Sequence, residues 1–245
     1  MLKNRLMQLF QDNKDIGPKA VRVEGKTEDE ATIYLYDAIG DWYGISAADF
    51  VKELSAIESK TIHLRINSPG GDVFDARSIA TAIKQKGNVI AHIDGVCASA
   101  ATYIATSCSE VEMAEGSFFM IHKAWTLAMG NADDMKATAG LLEKVDASIV
   151  NDFCKKTGKK DTEISEMMAA ETWMTAQEAL DCGFVDRIFD GEEVENNWNL
   201  SAYDNVPEKV KIGMENAIAK TEPILYDRER FEKRLSLIEA VSSRH

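Results

Sequence analysis

Apolar and polar positions change rhythm several times along the chain. Leu2, Leu6 and Phe10 share one helical face, which predicts a short N-terminal helix or arm. Residues 31–36, ATIYLY, alternate and are rich in β-branched and aromatic types, as a strand is. Residues 46–57, SAADFVKELSAI, open on a serine cap and then place apolar residues at helical spacing. TIHLRI at 61–66 reads as a second strand, broken by Asn67-Ser68-Pro69-Gly70-Gly71-Asp72. A helix, VFDARSIATAIKQK, follows and ends at Gly87. The order then repeats, with a strand at 88–93, a turn at Asp94-Gly95 and an Ala-rich helix at 97–107. Short strands are expected at 110–114 and 118–122, and helices from about 132 to 156 and over 161–169. The run ETWMTAQEALDCGFVDRIF reads as a loop, a helix and a last strand.

Strands that alternate with helices imply βαβ units and an α/β layered fold. The pattern decays after Asp190. GEEVENNWN is acidic and polar, and residues 208–243 are highly charged, with Phe231, Leu235 and Ile238 at helical spacing. The chain therefore divides into a domain over 1–190, whose first twenty residues form an arm, and an extension over 191–245. That extension reads as an acidic linker and a charged helix, dispensable for the chemistry of the domain.

Composition narrows the function. Hydrophobic residues make up 45% and charged residues 28%, the profile of a soluble globular chain. A net charge of −13 repels phosphate backbones and anionic lipid, so neither nucleic acid nor a membrane surface is expected as a partner. No apolar run reaches the roughly 18 residues of a membrane span. The first residues, interrupted by Lys3, Asn4 and Arg5, lack the core of a signal peptide, so a cytoplasmic location is expected. Cys97, Cys108, Cys154 and Cys182 are widely spaced and do not cluster with His63, His92, His122 or His245, so no metal and no cofactor is expected.

Three segments carry candidate chemistry. Gly95-Val96-Cys97-Ala98-Ser99-Ala100-Ala101 puts a serine among small residues at a strand-to-helix junction, where substrate backbone can approach and helix-start N–H groups can face an oxyanion. By itself this is also what a tightly packed helix looks like. Asn67-Ser68-Pro69-Gly70-Gly71 supplies adjacent glycines whose N–H groups stay uncovered. Met120-Ile121-His122 ends an apolar strand on a histidine, which by itself is more often a structural residue than a base. Cys97 is a rival nucleophile on paper, but a buried cysteine usually behaves as a small hydrophobe.

In this order and spacing the three segments, joined by Trp173-Met174-Thr175-Ala176-Gln177-Glu178-Ala179 and Gly183-Phe184-Val185-Asp186, resemble the ClpP family of serine peptidases over roughly residues 20–190. The resemblance implies a ClpP/crotonase-like fold of repeated β-β-α units with a protruding handle helix, which falls on 130–156. It puts the nucleophile on Ser99, the general base on His122 and oxyanion donors on the N–H groups of Gly71, in preference to Gly70, and Ala100. The third catalytic position, usually Asp in the family, falls on Glu171, with Asp186 or a backbone carbonyl as alternatives. It implies polypeptide substrates, a homo-oligomeric ring, heptameric or of stacked heptamers, and an AAA+ unfoldase as one partner class. Glu171 and the long extension resemble the phage- and prophage-encoded members that process capsid and scaffold proteins. The competing readings are a crotonase-type acyl-CoA enzyme and an assembly protein with a vestigial site.

Overall fold

The protein was analysed as a computed structural model, which describes residues 5–14, 16–18, 20–41, 43–190, 197–208, 210 and 211. In chain order the elements are α1 (Arg5–Asn13), β1 (Arg22–Glu24), β2 (Glu30–Leu35), α2 (Ala47–Ser55), β3 (Thr61–Ser68), α3 (Val73–Lys86), β4 (Val89–Ala98) and α4 (Ala100–Ala105). They continue with β5 (Glu110–Ala114), β6 (Phe118–Ile121), α5 (Ala132–Thr157), α6 (Asp161–Ala169), β7 (Thr172–Thr175), α7 (Ala176–Asp181) and β8 (Arg187–Phe189).

One sheet runs in the order β1-β2-β3-β4-β5-β8. Along that order β2, β3, β4, β5 and β8 pair in parallel, and β1 is antiparallel to β2. Alternation decides which face is buried: Ile33 and Leu35 of β2, Ile62, Leu64 and Ile66 of β3, and Ala91 and Ile93 of β4 point into the main core. Phe50 and Leu54 of α2, Ile79 and Ile83 of α3, and Ile104 of α4 cover them. Asp72 caps α3 through the N–H groups of Phe74 and Asp75, and Gly87 ends it in a left-handed conformation that favours glycine. The opposite face is polar. There Asp94 takes Arg65 Nε at 2.8 Å and Tyr36 Oη at 2.7 Å, while His63 and His92 meet nitrogen to nitrogen at 2.8 Å.

The α/β layering is as the alternation predicts, but two elements differ. Asp94-Gly95 is not a turn: β4 continues to Ala98, and the Ala-rich helix shrinks to Ala100–Ala105. The cause is a second pairing. Val96, Cys97 and Ala98 leave the register with β5 and pair in parallel with Phe118, Phe119 and Met120 of β6. A Cβ at Gly95 would lie 3.0 Å from Asn67 Oδ1, which accepts the Val96 N–H at 3.1 Å, so a side chain there would crowd that contact. The second difference is Thr172–Thr175, expected as loop, which forms β7 antiparallel to β6.

A smaller apolar cluster sits where β4 and β6 end. Val96, Ala98 and Met120 meet Leu9 of α1 together with Trp198, Leu200, Tyr203, Val206 and Val210. The boundary expected at 190 assigns these last five residues to the extension, yet they are buried against the domain. The helix expected over 208–243 lies almost wholly outside the described residues. Because Trp198 is only 3% exposed, Trp198→Ala is expected to lower unfolding stability by about 3–5 kcal/mol. Chemical denaturation monitored by circular dichroism measures it, and a change below about 1 kcal/mol would mean the segment adds little to the folded domain.

Candidate active site

Ser99 stands between the last residue of β4 and the first of α4. Its N–H donates to the carbonyl of Met120 at 2.8 Å, which extends the β4–β6 ladder by one rung. Its backbone has φ 54° and ψ −123°, a region that costs a non-glycine residue on the order of 1–3 kcal/mol. Ladder and helix together hold the side chain proud of the turn. His122 follows β6 directly. The pairing that aligns Ala98 with Met120 therefore also fixes the spacing of the two side chains, and Ser99 Oγ lies 2.7 Å from His122 Nε2. A hydroxyl at that distance donates to the unprotonated ring nitrogen.

Pro69-Gly70-Gly71 passes over Ser99. A Cβ on Gly70 would stand 2.6 Å from the Ala98 carbonyl and 2.7 Å from Ser99 Cβ, so only glycine allows this approach. The N–H of Gly70 donates to Ser68 Oγ at 3.2 Å. Among the described residues the N–H groups of Gly71 and Ala100 have no protein acceptor. Ser99, His122 and Gly71 open on a cavity of about 160 Å³ with apolar walls that include Val73, Ile121 and Leu142.

Glu171 is buried and has a left-handed backbone, φ 50°. Its Oε1 accepts from the backbone N–H of Asn205 at 2.7 Å and from Trp173 Nε1 at 3.3 Å. The described hydrogen bonds of His122 run to Ser99, and no hydrogen bond joins His122 to Glu171. Asp186, the alternative orienting group, is engaged by the Val111 N–H and by Lys156 Nζ. Cys97 is fully buried and its thiol is pushed well up by that burial, so it has no thiolate to offer. Among the described residues no group of three His, Cys, Asp or Glu side chains is placed to hold a metal.

Packing around the imidazole sets its protonation. Trp125 and Tyr203 stand edge-on to the His122 ring at centroid distances of 4.5 and 5.4 Å. Burial, with the Arg5 cation as a lesser cause, lowers the pKa of His122 from 6.5 to about 3. The ring is thus neutral, with its proton affinity reduced by these surroundings. Arg5, Trp198, Tyr203 and Asn205 are the residues near the site that strand and helix periodicity misses. Their signal is the run of apolar positions at 198, 200, 203 and 206 inside a polar stretch.

Similarity to known proteins follows the same residues. The Clp protease family model matches residues 17–192. ATP-dependent Clp protease proteolytic subunit 1 of Protochlamydia amoebophila is 29% identical over 208 residues, covering 80% of this chain and 100% of that protein. ATP-dependent Clp protease proteolytic subunit 2 of Gluconobacter oxydans is 25% identical over 183 residues, 72% of this chain and 82% of that one. The solved structure of a ClpP1 mutant from Listeria monocytogenes superposes with a TM-score of 0.59 at 25% identity, over 65% of this chain and 91% of that one.

The lowered pKa has a stability consequence of definite sign. Above pH 6.5 the ring is neutral in both folded and unfolded chains. Below it the unfolded chain takes up a proton that the folded site refuses, until about pH 3. Each unit of that window costs the folded state up to about 1.4 kcal/mol. His122→Gln is therefore expected to lose less stability than wild type between pH 7 and pH 4.5 in denaturant titrations. Equal acid sensitivity of the two proteins would show that His122 protonates normally.

Proposed function

The chain belongs to the Clp protease family, a family of serine endopeptidases, and on that premise we propose that it cleaves polypeptides through Ser99. The observation that carries the reading is the 2.7 Å contact between Ser99 Oγ and His122 Nε2. Ser99 Oγ attacks the scissile carbonyl carbon while its proton passes to Nε2. The oxyanion that forms receives the N–H groups of Gly71 and Ala100. His122 then returns the proton to the leaving amine, the C–N bond breaks and an ester remains on Ser99. Water attacks that ester by the same route in reverse, releasing the acid and restoring the hydroxyl.

The third role falls to Glu171, which accepts the second ring N–H of His122 once its carboxylate turns from Asn205. A carboxylate there fixes the tautomer and offsets the imidazolium that forms. The apolar cavity beside Ser99 accommodates an apolar side chain of the substrate. The 26 residues of α5 supply the protruding helix through which rings of this family meet, so assembly into a homo-oligomeric ring is part of the proposal. Processing of capsid or scaffold proteins is the finer reading. Glu in place of Asp and the extension beyond 190 support it, and the unfoldase-dependent alternative is tested by adding an AAA+ partner. An acyl-CoA enzyme of the crotonase type has no need of the Ser99–His122 contact, so that contact favours the peptidase.

Ser99→Ala is expected to abolish hydrolysis of a fluorogenic peptide by several orders of magnitude with the circular dichroism spectrum unchanged. Near-full activity in that variant would end the assignment. Glu171→Gln keeps the side chain's size and loses its charge, and should cost about four orders of magnitude in kcat. Glu171→Asp should retain part of the activity. Wild-type turnover by Glu171→Gln would remove Glu171 from the reaction and leave a Ser99–His122 pair oriented by another group.

A further inference from the structure

The segment from Trp198 to Val210 reaches the site at three points, each on a group the chemistry needs. Asn205 holds both sides of the turn before β7: its N–H takes Glu171 Oε1 at 2.7 Å, and its Nδ2 donates to the carbonyl of Ala170 at 2.8 Å. Tyr203 lays its ring against His122, Trp125 and Trp173, at 5.4, 5.1 and 5.9 Å between centroids, and its hydroxyl donates to the carbonyl of Pro69 at 2.7 Å. That carbonyl belongs to the loop that carries Gly71. Trp198 Nε1 donates to Asn67 Oδ1 at 3.2 Å, at the root of the same loop.

This segment is held by an apolar side and a polar side. Trp198 and Leu200 at one end, Val206 and Val210 at the other, and Ala202 and Tyr203 between them are buried in the apolar cluster. Residues 201–205 between them are turn and bend. Their ties to α1 are polar and mostly exposed: Gln8 Nε2 to Ser201 Oγ at 2.9 Å, and an ion pair between Arg5 and Asp204 with both side chains about half exposed. Exposed pairs of this kind contribute little and weaken with salt. Lifting of the middle withdraws Ala202 and Tyr203 from the cluster and breaks the Tyr203–Pro69 bond, which keeps the lifted form a minor state.

We propose that residues 198–210, tied to α1, form an intramolecular strap that holds the site uncoupled, with Asn205 occupying the carboxylate of Glu171 and Tyr203 wedged against His122. Lifting of the 201–205 bend frees Glu171 for His122 and clears the Pro69 carbonyl. The strapped and lifted forms are two states of one short segment, and the site works at the fraction of time the segment is lifted. The inference rests on Ser99 being the nucleophile, and its test separates the two claims.

The test is the rate at which a fluorophosphonate labels Ser99 in the full-length chain. Asn205→Pro removes the N–H that holds Glu171, and Tyr203→Ala removes the wedge. If the lifted fraction is a tenth or less at rest, either change raises the labelling rate by about tenfold or more. The rise from Asn205→Pro must disappear when Glu171→Gln is present in the same chain, a coupling that a merely structural role does not produce. Where either variant fails to fold, Arg5→Ala with Asp204→Ala loosens the strap from outside the site and should raise labelling in the same direction. Labelling at or below the wild-type rate in the folded variants overturns the strap and leaves the peptidase reading intact. A rise that survives Glu171→Gln overturns it equally. Labelling that is absent everywhere, or unchanged by Ser99→Ala, overturns both.

Discussion

Everything at this site depends on the parallel pairing of the end of β4 with β6. Three register partners, Val96 with Phe118, Cys97 with Phe119 and Ala98 with Met120, bring two segments twenty residues apart into one ladder. The Ser99 N–H to the Met120 carbonyl adds the last rung. Two side chains that emerge just past this ladder then have no choice of separation. Backbone hydrogen bonds in a buried sheet are costly to break, so the Ser99–His122 distance is set by the sheet and not by the side chains themselves. The left-handed conformation of Ser99 is tolerated for the same reason, since ladder and helix fix the backbone on both sides.

Much of this was legible in the sequence, and what was not has a common cause. The strands and helices of the main core were readable because each buries one face against local partners of regular spacing. Ser99, His122, Gly71, Ala100 and Glu171 were singled out as candidates through the resemblance to a family, with the glycine pair as the one local signal of a close backbone approach. The continuation of β4 through Gly95 was not, because Asp-Gly is a turn signal by itself and only the distant β6 makes it strand. Thr172–Thr175 failed for the same reason, being four residues whose partner is an edge elsewhere. The segment 198–210 was hidden by composition. Its buried residues are diluted among Asn, Ser and Asp, and their apolar spacing has meaning only against the cluster formed by Val96, Ala98 and Met120.

Glu171 is held by a different part of the fold from Ser99 and His122. It sits two positions before Trp173 on a left-handed backbone, and its carboxylate meets the segment that crosses over it. In this structure the crossing segment has it: a backbone N–H from Asn205 satisfies a buried carboxyl oxygen that would be costly to leave without a partner. His122 is left neutral, buried and bonded to Ser99, without a carboxylate to stabilise the charge it would gain on accepting a proton. Ser99 and His122 are thus brought together by the sheet, while Glu171 is held by a segment outside it.

The central claim is that Ser99 is made nucleophilic by His122, and mapping a covalent adduct tests it most directly. The full-length protein is treated with a fluorophosphonate, digested, and the modified peptide sequenced by mass spectrometry. The account predicts one adduct, on Ser99 within the peptide that also carries Cys97, and its loss in His122→Ala. An adduct on any other residue, or one on Ser99 that forms as fast without His122, would contradict it.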